Sequence, residues 1–135
     1  MKTIKVSEAT NIQLDWLVAK CEGQAVTLDV SLPNYPLLVL QGEEDRVDDV
    51  YSGYSPTTDW SQGGPIIERE GIELHTDEEV ASTAWSASHY NKGVYWCYGA
   101  TPLIAAMRCY CCVKRGDVVE VPEELLCADQ CQTKQ

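Results

Sequence analysis

The sequence predicts a small α+β domain: an antiparallel sheet packed by two amphipathic helices, with a long ordered loop over residues 43–65. Three observations predict this class. Two segments repeat apolar residues at helical spacing, several short segments alternate apolar with polar residues, and residues 43–65 follow neither period. Because the chain has 135 residues, 44% of them hydrophobic, we expect one domain over residues 1–126 and a flexible tail over 127–135.

The first helix is predicted by its two ends. Thr10 and Gln13 have the spacing of a capping box, and Gly23 supplies a C-terminal stop after an apolar stripe that includes Leu14 and Val18. Short strands on either side of this helix are predicted by alternating or continuous apolar residues. Their segments are residues 3–6, 26–32 and 37–40.

The segment between residues 43 and 65 has two unlike halves. Residues 43–49, EEDRVDD, form a solvated charge run, whereas residues 54–65, YSPTTDWSQGGP, contain rigid aromatic side chains and are expected to be ordered. Long irregular connections in compact domains are usually functional or disordered. We therefore expect the second half to carry function.

Strand patterns dominate the next part of the chain. Residues 66–74 are predicted as a strand with a bend at Gly71, and residues 76–82 as a single helical turn. Residues 84–90 and 94–98 are rich in aromatic side chains and are joined by NKG, which predicts a hairpin.

The last long element is predicted as a helix. Thr101 is a good N-cap, Pro102 fits the first helical position, and Gly116 ends the apolar stripe. Residues 117–126 are predicted to add an edge strand.

The net charge of −11 is unevenly distributed along the chain. Residues 43–83 hold twelve acids and two bases, whereas residues 84–116 hold four bases and no acid. Because a strongly acidic surface repels phosphate backbones, we expect no direct binding of nucleic acid. The acid-free segment is where an anion would bind most readily. No apolar run approaches the roughly 20 residues of a membrane span, and no signal peptide is visible, so we expect a soluble cytoplasmic protein without a membrane contact.

The seven cysteines are expected to be reduced thiols rather than metal ligands. Cys111, Cys112, Cys127 and Cys131 cluster near the C-terminus, but CC followed by C-x3-C is not a usual spacing for zinc. We predict no metal and interpret the helical cysteines as core residues.

Residues 54–65 have the chemical groups of a ligand-binding surface. Tyr54 and Trp60 can stack on a planar ring, and Asp59 can accept a hydrogen bond from a base edge or a ribose hydroxyl. Hydroxyl and amide groups add donors and acceptors, and glycines allow close approach of the backbone. These further site residues are Ser55, Thr57, Thr58, Gln62, Gly63, Gly64 and Pro65.

The start of the last helix adds a second feature. Thr101 and Pro102, preceded by Gly99, begin a helix whose free N–H groups and dipole favour an anion. If the two features meet, stacking and phosphate binding would lie side by side. An architectural alternative stays open, in which Trp60 caps the core and Asp59 only fixes the loop.

Arg108 is the basic residue whose position invites a functional interpretation. It lies about two turns into the last helix, where it could pair with an acid of the loop or reach a phosphate; the acid pair is the favoured interpretation. Lys114 and Arg115 complement the helix dipole and need no function.

No motif in the chain supports catalysis. The sequence lacks a P-loop, a dinucleotide fingerprint, a nucleophile elbow and HExxH, and its two histidines, His75 and His89, have no convincing partner spacing. We predict no catalytic residue and no cofactor. An acid and base pair of Asp59 and Glu68, or a reactive cysteine such as Cys97, is the less favoured alternative.

Three blocks of the chain resemble the NinX-like family of phage proteins, a domain of unknown function: MKTIKVSEATNIQLDWLVAKCEG, YSPTTDWSQGGPIIEREGI and ATPLIAAMRCYCCVKRGDVVEVPEELL. The likeness runs in order from Met1 to about Leu126 and is loosest over residues 76–98. It implies a phage-encoded accessory protein that works in the host cytoplasm, where such proteins manipulate host enzymes or defences.

These observations favour a non-enzymatic binding module that sequesters a small nucleotide-derived ligand, such as a host defence signal. One alternative is an acidic inhibitor or adaptor that binds a host protein, because EEDRVDD mimics a phosphate backbone. Another is a hydrolase of a nucleotide-derived ligand. The aromatic strands over residues 84–98 also favour a homodimer or a higher homo-oligomer.

Overall fold

The computed structural model describes residues 1–29, 37–40, 53–76 and 85–126, and it confirms the predicted α+β class. The strands are β1 (Lys2–Lys5), β2 (Val26–Asp29), β3 (Leu37–Leu40), β4 (Glu73–Thr76), β5 (Trp85–His89), β6 (Val94–Gly99) and β7 (Val118–Val121). The long helices are α1 (Asn11–Glu22), α2 (Trp60–Glu70) and α3 (Pro102–Arg115). Short 3-10 turns follow β1 at Val6–Glu8 and β5 at Tyr90–Lys92.

The strands of the described ranges form three small antiparallel sheets instead of one continuous sheet. β1 pairs with β7, β2 pairs with β3, and the third sheet has the order β4-β5-β6. The predicted edge strand near the C-terminus is confirmed as β7, in which Val118 lies opposite Lys5 of β1. The pairing of β1 with β7 therefore brings two distant parts of the chain together.

The ends of α1 follow the predicted local signals. Thr10 is the N-cap, and its N–H donates to Oε1 of Gln13 at 3.1 Å, which is the backward half of a capping box. Gly23 ends the helix with φ of 73°, in the left-handed region that favours glycine. The helix buries Leu14 and Val18 completely, as its apolar stripe predicts.

Helix α2 corrects the prediction for residues 60–74. The sequence pattern predicted an ordered loop to Pro65 and a strand from residue 66, but residues Trp60–Glu70 form a helix and the strand begins only at Glu73. Gly-Gly-Pro disfavours a helix by propensity. The cap at Asp59 and the burial of Ile66 supply the local and tertiary contacts that override this preference.

Helix α3 lies at the centre of the core. It packs against β5 and β6 and also contacts α1 and α2. Met107 and Tyr110 are fully buried on it, and its predicted ends are confirmed at the N-cap Thr101 and the C-cap Gly116. The predicted core role of Cys109 is also confirmed, since its thiol is fully buried.

Strand β6 is irregular. The predicted hairpin with β5 is confirmed, but the register shifts between Ala87 and His89, and Trp96 has φ of 58°. A non-glycine residue in this left-handed region costs on the order of 1–3 kcal/mol, so other contacts must hold it there. The Trp96 N–H donates to Oγ of the buried Ser88 at 3.2 Å and supplies one such contact.

Several predictions lie outside the described residues. These are the charge run over residues 43–49, the helical turn over residues 77–82 and the tail over residues 127–135. Thr76, the predicted cap of that turn, is the last residue of β4. Within the described ranges, every helix is too short or too polar to cross a membrane.

Candidate functional site

The turn before α2 is held by a network among the predicted site residues. Oδ1 of Asp59 accepts from the N–H of Ser61 at 2.9 Å and from its hydroxyl at 2.7 Å. The Gln62 amide donates to Oδ2 of Asp59 at 3.1 Å, and its oxygen accepts from the Ser55 N–H at 2.7 Å. The Ser55 and Thr58 hydroxyls also share a hydrogen bond. These side chains fix the turn, as the architectural alternative predicted for Asp59.

A buried carboxylate supports the same turn from beneath. Oδ1 of Asp15, on α1, accepts from the N–H of Thr57 at 2.9 Å. Asp15 is 5% exposed and Thr57 is 1% exposed. Burial raises the pKa of the Asp15 carboxyl to about 7, although hydrogen bonds from Thr57 and Ser55 act in the opposite direction. Sequence analysis missed Asp15, because its partner lies 42 residues away and no local signal marks it.

Gly63 brings the starts of α2 and α3 together. A β-carbon at this position would lie 2.4 Å from the carbonyl oxygen of Pro56 and 2.7 Å from Cδ2 of Leu103. The α2 backbone therefore rests directly on the turn and on the first turn of α3. Gly64 differs, because its nearest neighbour would be the Trp60 ring at 3.8 Å. The close approach predicted at the glycines was that of a ligand, whereas at Gly63 the close neighbours are protein atoms.

The end of β6 packs just as closely on α3. A β-carbon at Gly99 would lie 2.5 Å from the N atom of Ala105. Two residues later Thr101 caps α3, since its Oγ1 accepts from the Ile104 N–H at 3.2 Å. Pro102 follows at the first helical position and is half-buried. Thr101 and Pro102 therefore begin α3 as the sequence predicted.

Among the large side chains predicted for the site, that of Trp60 is the most exposed. Its side chain is 54% exposed, at the first position of α2, one helical turn before Gly63. Tyr54 is instead half-buried against the core, which raises the pKa of its hydroxyl, and Pro65 is exposed inside α2. We call the contact region of Trp60, Gly63, Gly64, Thr101 and Leu103 the α2–α3 junction; Gly63 and Leu103 are buried in it.

The junction is defined by a backbone contact rather than by a described cavity. Three cavities have linings formed by described residues, and those linings do not include Trp60, Gly64 or Thr101. The Gly63 and Leu103 contact joins the two segments, but it is not the shared cavity of Trp60, Gly64 and Thr101 on which ligand binding was expected to depend.

Arg108 lies apart from the junction. Its Nη1 donates to the carbonyl oxygen of Tyr98 at 2.8 Å, and its Nη2 donates to that of Ala9 at 2.9 Å. The predicted acid pair is not among its contacts in the described part of the chain; backbone carbonyls take that place. Burial lowers the pKa of the guanidinium. Arg108 lines a cavity beside β6, together with Tyr98 and Cys97.

The described cysteines are free thiols: Cys21, Cys97, Cys109, Cys111 and Cys112. Among the described residues, no group of three or more histidine, cysteine or acidic side chains is arranged to hold a metal ion. Cys127 and Cys131, the other two members of the predicted cluster, lie outside those residues.

The cap network, the α2–α3 junction and the α+β core do not by themselves define a family, so the class of protein follows from sequence likeness. The chain matches the family described as Bacteriophage P22, NinX, over residues 5–114. Since this match covers more than half of the chain, the protein belongs to that phage family. No curated protein matches it.

Proposed function

We propose that this phage protein is a non-enzymatic binding module that captures a small nucleotide-derived ligand at the α2–α3 junction. The observation that carries the proposal is the position of Trp60, whose side chain is 54% exposed where the N-termini of two helices adjoin. A nucleotide signal of a host defence system is the kind of ligand that a phage accessory protein would sequester in the host cytoplasm.

The turn presents Trp60 on a rigid base. Asp59, Gln62 and Ser55 bond one another on one side of it, and Gly63 rests on Leu103 on the other. Because this base is ordered before any ligand arrives, stacking on the indole costs little conformational entropy. Stacking of a base on an aromatic side chain contributes about 1–3 kcal/mol.

The start of α3 supplies the complement for a phosphate. Its positive dipole end lies at Thr101, and Pro102 has no N–H, so the Leu103 amide is the first helical donor available by position. The amides of Ile104 and Ala105 bond the side chain and the carbonyl of Thr101. A single phosphate on a stacked nucleotide would therefore meet the Leu103 amide.

Calorimetry of the protein with a panel of nucleotides and cyclic nucleotides tests the proposal. We expect binding by at least one member, and a loss of about 5- to 150-fold in affinity for Trp60→Ala, which is the stacking energy expressed as an equilibrium factor. Trp16→Ala is the control for removal of an indole, because Trp16 lies on α1 and is not one of the junction residues. The recovered ligand should be chemically unchanged.

Two results would count against the proposal. If no member of the panel gives binding heat or thermal stabilisation at about 100 micromolar, nucleotides are not the ligand class. A useful sequestering protein binds its ligand well below that concentration. Recovery of a cleaved nucleotide would replace the binding module with the hydrolase alternative.

A further inference from the structure

Strand β6 borders a cavity of about 620 Å³. Four consecutive residues of the strand, Tyr95 to Tyr98, line it. Successive side chains of a regular strand point to opposite faces, so a regular β6 would direct only every second residue toward one cavity. The register shift beside β6 and the positive φ of Trp96 break this alternation. The irregularity of β6 therefore lies within the stretch of the strand that lines this cavity.

The aromatic side chains at this cavity are not packed into the core. Tyr95 is 51% exposed, Trp96 is 52% exposed and Tyr98 is 38% exposed. Neighbouring rings support two of them: Tyr90 lies 5.2 Å from Tyr95 between ring centroids, and His75 lies 6.0 Å from Trp96. Exposed aromatic surface held in a strained backbone conformation is typical of a recognition site.

The charges around the cavity favour an anion. Its lining contains Lys5 and Arg108 as bases and Asp117 as the acid, a local net charge of +1 in a chain whose net charge is −11. Two of the five N–H groups of Arg108 bond backbone carbonyls, and its Nε–H is buried without a hydrogen-bond partner. Since these partners are neutral, the guanidinium charge is not balanced by a carboxylate within the described part of the protein.

We propose that this β6 cavity is a second binding site, which takes a small planar molecule carrying one negative charge. The ring stacks on Trp96 and the neighbouring tyrosines, and the charged group is attracted by Lys5 and Arg108. The volume lies within the range of small-molecule sites, about 300–1,000 Å³. The site is separate from the α2–α3 junction, because none of the junction residues lines the cavity.

Two pairs of probes test the ligand class by calorimetry on the full chain. Methyl 2-naphthyl phosphate and 2-naphthoate each join a planar ring system to one negative charge, and 2-naphthol and 2-naphthamide are their neutral counterparts. We expect at least one of the anions to bind, and its neutral counterpart to bind at least about tenfold more weakly, as the loss of a charged contact predicts. The two anions distinguish a phosphodiester from a carboxylate as the preferred group.

Trp96→Gly is the decisive variant. Glycine adopts the positive φ of this position without strain, so the variant removes the ring while keeping the backbone conformation. We expect it to lose at least about tenfold in affinity for the bound probe with an unchanged or higher melting temperature. Lys5→Ala, at an exposed position, should weaken binding of the anion and leave binding of the neutral counterpart unchanged. Trp60→Ala should leave affinity for this probe unchanged.

Three outcomes would overturn the second site. The first is equal binding of an anion and its neutral counterpart, and the second is no binding of either anion at about 1 mM, an affinity too weak for a specific pocket. The third is a change of molecular mass in light scattering for Trp96→Gly, which would assign the exposed ring to contact with a second copy of the chain. If Trp60→Ala lost affinity for the same probe, the probe would bind at the junction and not at a separate site.

Discussion

At the scale of single residues, Asp15 shows how one buried group supports a surface turn. The carboxyl is covered by the protein and accepts the Thr57 N–H, yet no cation neutralises it among its described contacts. Burial therefore favours the protonated form and raises the pKa of Asp15 to about 7. The turn that carries Trp60 is thus coupled to a proton in the neutral pH range.

This coupling predicts a pH dependence of stability. The pKa of Asp15 is about 7 in the folded state and 3.8 in its ordinary environment, so the folded state binds the proton more strongly. Its contribution to the free energy of unfolding is present below pH 3.8 and is lost as the pH rises toward 7. Asp15→Asn keeps an oxygen for the Thr57 N–H and removes the titration. We expect this variant to be more stable than the parent at pH 8 and to lose most, but not all, of that advantage at pH 5.

Urea midpoints at the two pH values measure the effect. Glu124→Gln, at an exposed position, is the control for removal of an ordinary acid. If Asp15→Asn and Glu124→Gln show the same change of midpoint with pH, the burial of Asp15 has no part in the pH dependence.

Gly63 and Gly64 provide a second test at the residue scale. Gly63→Ala places a methyl group 2.4 Å from a backbone oxygen, and this overlap should destabilise the protein by about 1–3 kcal/mol. Gly64→Ala meets only an ordinary contact at 3.8 Å and gains helix propensity, so it should be neutral or stabilising by up to about 1 kcal/mol. Thermal melts of the two variants compare neighbouring glycines in the same helix. Equal melting temperatures would show that α2 does not rest on Pro56 and Leu103.

At the scale of elements, one ionic cluster joins all three helices. Arg69 of α2 donates to both oxygens of Glu22 of α1, at 2.9 Å and 2.6 Å, and the Tyr110 hydroxyl of α3 also bonds Glu22. The Arg69 guanidinium holds the pKa of the Glu22 carboxyl below its usual range. The cluster holds the C-terminal half of α2 against α1 and α3. The start of α2 is held by the contacts of Asp59 and Gly63.

A double-mutant cycle tests this attachment. Glu22→Gln and Arg69→Gln should each destabilise the protein at pH 7, with a coupling energy of about 1 kcal/mol, because Arg69 is half-exposed and the pair is bidentate. Since the folded pKa of Glu22 is lowered, this stabilisation is present above pH 4.5 and is lost as the pH falls further. Chemical denaturation at pH 7 and pH 3 measures both effects. A coupling that persists unchanged at pH 3 would contradict the ionic interpretation.

The elements also differ in how far local sequence predicts them. Helices α1 and α3 begin at Thr10 and Thr101 and end at Gly23 and Gly116, and each of these signals acts within one turn of the chain. Helix α2 contains Gly-Gly-Pro, which local propensity assigns to a turn. Its helical state depends on packing against α3, a contact across about forty residues that no local pattern records.

At the scale of the whole molecule, charge and fold act together. The acid-free segment of residues 84–116 contains β6 and α3, and these two elements supply Tyr95 to Tyr98, Arg108 and Cys112 to the lining of the β6 cavity. A protein of net charge −11 therefore keeps one region in which an anion is not repelled. The sequence predicted this favourable segment, and the fold places Arg108 at the β6 cavity, whose lining does not include Trp60.

The sequence by itself determined the α+β class, the phage family, the two capped helices and the anion-tolerant segment, because periodicity, capping and composition are local properties of a chain. Only the tertiary structure decided that residues 60–70 are helical, that Asp15 lies beneath the turn and that four consecutive residues of β6 line one cavity. These features arise from contacts between distant segments, in which burial and backbone strain outweigh the preference of each residue for its own conformation.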